Sequence, residues 1–122
     1  MKQETIDMVL KFRDDRNWKQ FHTPKDLAIS LSLEAAELLE VFQWSGTDLE
    51  CKEKRDKIEE ELADVLSYCF LLADVYHMNL DEIVRKKVKT NEVKYPVSKA
   101  YGRSDKYTVL AKEITVQNKA HI

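Results

Sequence analysis

Four residues break up the 122-residue chain: Pro24, Gly46, Pro96 and Gly102. So few turn formers, in a sequence with 34% charged residues, predict long helices joined by few turns. Apolar residues recur at three- and four-residue spacing, and no alternating strand pattern, internal repeat or low-complexity tract interrupts them. The expected fold is all-α, a bundle of four main helices with short connections, so that neighbours run antiparallel. The length fits one domain with one modest core.

Local signals set the helix boundaries. A first helix is expected over 3–16, with Ile6, Val9, Leu10 and either Phe12 or Arg13 on its apolar side. Thr23 before Pro24, with Asp26 following, reads as an N-cap, a first-turn proline and a dipole-matched acid. The second helix then covers about 24–43 and ends at the turn Ser45-Gly46-Thr47-Asp48. A third is expected over about 52–77. Asn79 can cap a fourth over about 80–94, which Pro96 stops.

Charge and composition exclude several classes. Twenty basic and 22 acidic residues interleave to a net charge of −2, so no basic stripe points to a nucleic-acid polymer. No run is long and apolar enough to span a membrane, and the opening residues are too acidic and polar for a signal peptide. Two cysteines cannot build a disulfide framework, which implies a reducing, cytoplasmic setting. Cys69 lies in an apolar run and is expected in the core; Cys51 is expected to be an exposed thiol.

The acidic residues carry the chemistry. On a helical wheel Leu27, Leu31, Leu38 and Val41 fall within about 60° of Glu34. Glu37 lies one turn along on the same side, and Glu40 further toward solvent. The third helix repeats the pattern: Ile58, Val65, Tyr68 and Leu72 flank Glu61, with Asp64 three residues on. Two neighbouring helices thus each direct an acidic i, i+3 pair toward the core. Ionised carboxylates gathered there would repel one another and lose hydration, at several kcal/mol per ion. A cation resolves this. Oxygen-only ligands without a Cys–His set favour Mg²⁺, with Mn²⁺ as substitute, over zinc. Mg²⁺ retains waters that phosphate oxygens can replace, so a phosphate substrate fits such a site. An ordinary explanation competes at each position, since acidic pairs on helices usually meet lysines and arginines on solvated faces.

"RNWKQFHTPKDLAISLSLEAAELLEVFQW", "EEELADVLSYCFLLA", "KVKTNEVKYPV" and "YGRSDKY" together resemble the MazG-like nucleoside triphosphate pyrophosphohydrolases, closest to their single-domain dCTP pyrophosphatase branch. The resemblance covers about residues 10–107, which implies a catalytic domain over 1–107 and a C-terminal tail, expected to be mobile, over 108–122. It implies an Mg²⁺-dependent enzyme that cleaves between the α- and β-phosphates, releasing a nucleoside monophosphate and pyrophosphate. The expected substrate is dCTP or a modified relative, in nucleotide-pool control or house-cleaning.

By position, the resemblance makes Glu34, Glu37, Glu61 and Asp64 the metal-binding acids. One glutamate is left as general base for water; Glu37 is the expected one, although the sequence does not separate it from the others. Lys87 and Asn91, i and i+4 on the fourth helix, align with residues that contact triphosphate or sugar. Trp18, His22, Trp44 and Tyr68 are the candidates to surround the base, where stacking on an indole gives about 1–3 kcal/mol. His22, just before Thr-Pro, equally fits a structural role at the helix start, and Phe21 and Phe42 are expected in the core. Tyr95, Arg103, Lys106 and Tyr107 fall in a stretch that closes over substrate in the family. Many relatives carry a basic residue directly after the "FQW" equivalent, where this chain has Ser45; that departure bears on substrate preference.

Ala63, Leu66, Phe70 and Ala73 lie nearly opposite Glu61, so both sides of the third helix want burial. This predicts a homodimer or a dimer-of-dimers tetramer, as the resemblance also implies. Two other classes compete. A di-iron carboxylate bundle expects Glu-x-x-His pairs, and none of His22, His77 and His121 follows a glutamate by three. A non-catalytic helical oligomerisation module accounts for the amphipathic helices but not for inward-facing Glu34 and Glu61.

Overall fold

The computed structural model describes residues 1–104, so the tail expected over 108–122 lies outside the described residues. Every regular element among the described residues is helical. The chain forms two compact units, residues 1–78 and a second beginning at Asn79.

In the first unit, α1 spans Gln3–Asp15. It ends where Asn17 adopts a left-handed φ of 53°, and one 3₁₀ turn, Trp18–Phe21, follows. Thr23 then caps α2 (Pro24–Gln43): its hydroxyl accepts the Asp26 N–H at 3.1 Å, with Pro24 in the first turn. That satisfies one of the orphan donors at the helix start and fixes which residues face inward. Leu27 is 1% exposed and Val41 is buried, so the apolar stripe is the one the periodicity predicts.

Past α2, Gly46 supplies the positive φ of the turn. Asp48 Oδ1 accepts the backbone N–H groups of Glu50 and Cys51 and folds the loop back. Cys51 is therefore buried, its thiol 3.7 Å from the Val41 carbonyl; the expectation of an exposed thiol was wrong, because the Asp48 turn brings the loop against the end of α2. Phe21, expected in the core, is 65% exposed. At that point His22 takes the sheltered side. Phe42 is half-buried.

A 3₁₀ turn, Lys52–Lys54, leads into α3 (Arg55–Val75), so the helix expected from residue 52 starts with a tighter turn. It closes through a left-handed His77 and a bond from Met78 N–H to the Ala73 carbonyl at 2.9 Å, the usual way of satisfying last-turn carbonyls. α2 and α3 pack together. Val41 meets Lys54 while Glu37 meets Glu61, so numbering runs in opposite directions and the pair is antiparallel. α1 packs on α3 through Arg13, which is 4% exposed. Its guanidinium holds Asp14 at 2.8 Å and Asp74 of α3 at 2.7 Å. Between Phe12 and Arg13, the inward position is Arg13.

The second apolar side of α3 is divided. Phe70 and Ala73 are buried, whereas Leu62, Ala63 and Leu66 are exposed. On α2, Ile29 and Leu33 are also exposed.

In the second unit, Asn79 caps α4 (Leu80–Lys94) by accepting the Glu82 N–H at 3.1 Å. Pro96 follows, and a single turn, α5, covers Val97–Ala100. No helix among the described residues is long and apolar enough to cross a membrane.

Candidate active site

The inward stripe of α2 carries Glu34 one turn before Glu37, and that of α3 carries Glu61 one turn before Asp64. Antiparallel packing brings the two pairs together. One carboxylate oxygen from each of the four residues can be chosen so that all lie within 4.8 Å of one another. Glu61 is 5% exposed and Glu34 half-buried, whereas Glu37 and Asp64 reach solvent.

Concentrated negative charge perturbs the acids. Burial pushes the Glu34 carboxyl up to about 7, helped by a hydrogen bond with Glu37 and by the charges of Glu37, Asp64 and Glu61. Glu61 moves the opposite way. Its hydrogen bond with Lys57 holds its carboxyl below the ordinary glutamate value against the effect of burial. The Lys57 ammonium lies 2.8 Å from Glu61 Oε1. Glu61 Oε2 and Glu34 Oε2 are buried without a hydrogen-bond partner.

Those two orphaned oxygens test the fit of a cation. An unpaired buried carboxylate oxygen is costly, and here two sit in an all-oxygen cluster. Ligands on opposite sides of Mg²⁺ stand about 4.2 Å apart, twice the metal–oxygen distance. The spread of 4.8 Å is close to that, so the four acids fit a hard divalent ion. Glu37 and Glu61 also line an open cleft of about 760 Å³ with Glu40, Val41, Lys54 and Lys57.

The other expected site residues are spread along both units. Trp18, on the 3₁₀ turn, packs edge-on against Phe12 with ring centroids 5.7 Å apart, and the Arg16 guanidinium covers Phe12 at 3.6 Å. His22 immediately precedes the Thr23 cap. Its Nδ1 is buried without a partner, and burial, then the charge of Arg13, lowers its pKa, which keeps the imidazole neutral near pH 7. Trp44 ends α2 and is 88% exposed. Tyr68 is half-buried on α3, one turn beyond Asp64. In the second unit Lys87 and Asn91 sit one turn apart on α4, and Tyr95 ends that helix with its N–H on the Asn91 carbonyl at 2.7 Å. Arg103 follows α5, its N–H bonded to the Ala100 carbonyl. Lys106 and Tyr107 lie outside the described residues.

The family model described as MazG-like matches residues 29–110, a stretch that contains both acidic pairs. The chain belongs to the MazG-like family. Among its MazG-like relatives, dCTP pyrophosphatase 1 of Mus musculus is 37% identical over 115 residues, covering 90% of this chain and 68% of that protein. The Homo sapiens protein of the same name is 39% identical over 106 residues, covering 82% and 62%. A solved structure, a pyrophosphatase from Archaeoglobus fulgidus DSM 4304, superposes with a TM-score of 0.71 at 49% identity. That match covers 77% of this chain and 91% of the other.

One residue beside the acidic cluster, Lys57, escaped the sequence reading. Lys57 is i−4 from Glu61, a spacing that places both on one helix face, so its signal was present. Arg13 pairs with Asp74 across 61 residues, and no local pattern announces such a pair.

Proposed function

We propose that the protein is a divalent-metal-dependent nucleoside triphosphate pyrophosphohydrolase, which converts a nucleoside triphosphate and water into the monophosphate and pyrophosphate. The observation that carries this reading is the convergence of Glu34, Glu37, Glu61 and Asp64 within 4.8 Å, with two buried oxygens lacking partners. Membership of the MazG-like family and relatives named as pyrophosphatases support it. The relatives' name makes dCTP, or a modified form of it, the first substrate to consider.

The four acids would hold Mg²⁺, or Mn²⁺ in its place. The bound ion supplies positive charge that polarises phosphoryl oxygens and lowers the pKa of a water. The chain's own groups do the rest. Glu37 is exposed on the cleft, so it can take the proton of the attacking water and pass it to solvent. The water oxygen bonds to phosphorus, the bridging bond between the α- and β-phosphates breaks, and pyrophosphate leaves with the bond's electron pair. Glu34, Glu61 and Asp64 remain as ligands.

Substrate recognition falls to the other named residues. Trp18, His22, Trp44 and Tyr68 would take the base, with neutral His22 offering a hydrogen bond. Lys87, Asn91, Tyr95, Arg103 and Lys106 would take the polyphosphate and sugar. Exposed Ile29 and Leu33 of α2 and Leu62 and Leu66 of α3 support a homodimer or dimer of dimers, within a catalytic domain over 1–107. The cytoplasmic nucleotide pool is the expected setting.

The test is pyrophosphate release from a panel of ribo- and deoxynucleoside triphosphates with Mg²⁺. Pyrophosphate and the monophosphate in equal amounts, dCTP or a modified cytosine deoxynucleotide turning over fastest, and loss of activity in Glu61→Ala with unchanged circular dichroism are expected. No release from any nucleotide would overturn the proposal and favour a non-catalytic helical oligomerisation module.

A further inference from the structure

The four-carboxylate cluster contains its own cation. Lys57 rises from the first turn of α3, and its ammonium lies 2.8 Å from Glu61 Oε1. The lysine is more than half exposed, whereas its partner carboxylate is almost fully buried. An exposed lysine that reaches inward to a buried glutamate gives up side-chain freedom, while removing its charge would leave the buried carboxylate uncompensated. Lys57 thus provides part of the neutralising charge that the acidic cluster requires.

A divalent ion among the same acids has to use the same charge. Glu61 is the most buried of the four, and one of its two oxygens is already held by Lys57. An ammonium left in place beside a doubly charged ion is strongly repelled at such range. Lys57 has somewhere to go, because Glu60 Oε2 already lies 3.8 Å from its nitrogen. Glu53 and Asp56 line the same open cleft. Lys57 is more than half exposed, so rotation of its own side chain suffices for the move. Lys54 makes the contrast. It lines the same cleft, but its ammonium bonds to the Val41 carbonyl at 3.4 Å and holds none of the four acids.

We propose that Lys57 is the site's resident counter-ion: it competes with the divalent metal for Glu61 and is turned out to the cleft mouth when the metal binds. The chain therefore sets its own metal affinity, weakening the hold on free metal through one flexible side chain. This inference rests on the metal reading of the four acids given above.

The experiment is calorimetric titration of Mn²⁺ alone into the full-length, metal-free protein, in wild type, Lys57→Met, Lys57→Arg and Lys54→Met. Wild type should bind Mn²⁺ saturably, and Lys57→Met should bind it roughly tenfold more tightly, as expected for deleting one charge-assisted contact. Lys57→Arg, which retains a competing cation, and Lys54→Met should stay within about threefold of wild type. A Lys57→Met affinity equal to or weaker than wild type overturns the proposal while leaving the metal site standing. An equal gain in Lys54→Met also overturns it, because the effect is then only the loss of a nearby positive charge. Absence of saturable binding in every protein defeats the metal reading itself, and this proposal with it.

Discussion

The Arg13 guanidinium lies 2.7 Å from the Asp74 carboxylate and joins α1 to α3 near their C-terminal ends. Asp14 holds the same group from the other side at 2.8 Å. Arg13 is buried whereas Asp74 is only partly so, and removing the arginine leaves Asp74 without this cation and opens space beneath it. Arg13→Ala should cost about 2–3 kcal/mol of unfolding free energy, measured by urea denaturation. Asp14→Asn should cost much less than Arg13→Ala, since Asp14 is exposed and its ion pair is screened by solvent. Equal small effects from both would show that the contact does not secure α1.

The Glu34 carboxyl, raised to about 7 from an ordinary 4.5, gives the metal-free protein a pH dependence of definite sign. Between those values the folded chain holds a proton on this group that the unfolded chain has released. Its stabilising contribution is complete below pH 4.5 and is lost as pH rises through 7. Glu34→Gln keeps a neutral side chain at every pH. Metal-free Glu34→Gln should therefore melt above wild type at pH 8, with the gap narrowing toward pH 5. Melting curves that stay parallel across that range would contradict the assignment.

Thr23 is a cap whose effect is separable from the site. Thr23→Ala removes the acceptor for the Asp26 N–H and should cost about 1 kcal/mol, whereas Thr23→Ser should be nearly neutral. Thermal denaturation monitored by circular dichroism reads both.

Cys51 is 3% exposed, and burial raises the Cys69 thiol pKa. Neither should react quickly in the native protein, since the thiolate is the reactive form and needs access. Maleimide labelling at neutral pH should be slow for both and should become fast on unfolding in urea. Rapid native labelling of Cys51 would mean that the Asp48 turn does not hold the loop against α2.

These features differ in how far the sequence announces them. Thr23 before Pro24, Asn79 before α4 and Gly46 in its turn act through neighbours a few residues away, so their residue types declare the structure. Glu34 and Glu61 were legible for another reason: helical period alone places them among leucines and valines, where a carboxylate needs a partner. Cys51 was misread because its burial depends on the side chain of Asp48, three residues earlier, capturing two backbone N–H groups. Arg13 was ambiguous because its partner Asp74 is 61 residues away. Trp18, His22, Trp44 and Tyr68 lie on three separate elements, and spacing along the chain does not determine whether side chains on different elements meet a common ligand.

Glu61 is the most buried acid of the cluster and has one oxygen without a partner, so it provides the most direct test of whether the four acids share an ion. The measurement is the electron paramagnetic resonance signal of free Mn²⁺ titrated with wild type and with Glu61→Gln. Wild type should quench the signal saturably, and Glu61→Gln, with the same helical circular dichroism, should leave it nearly intact. Equal quenching by the two proteins, or none by wild type, would contradict the shared-ion site on which the proposed hydrolysis depends.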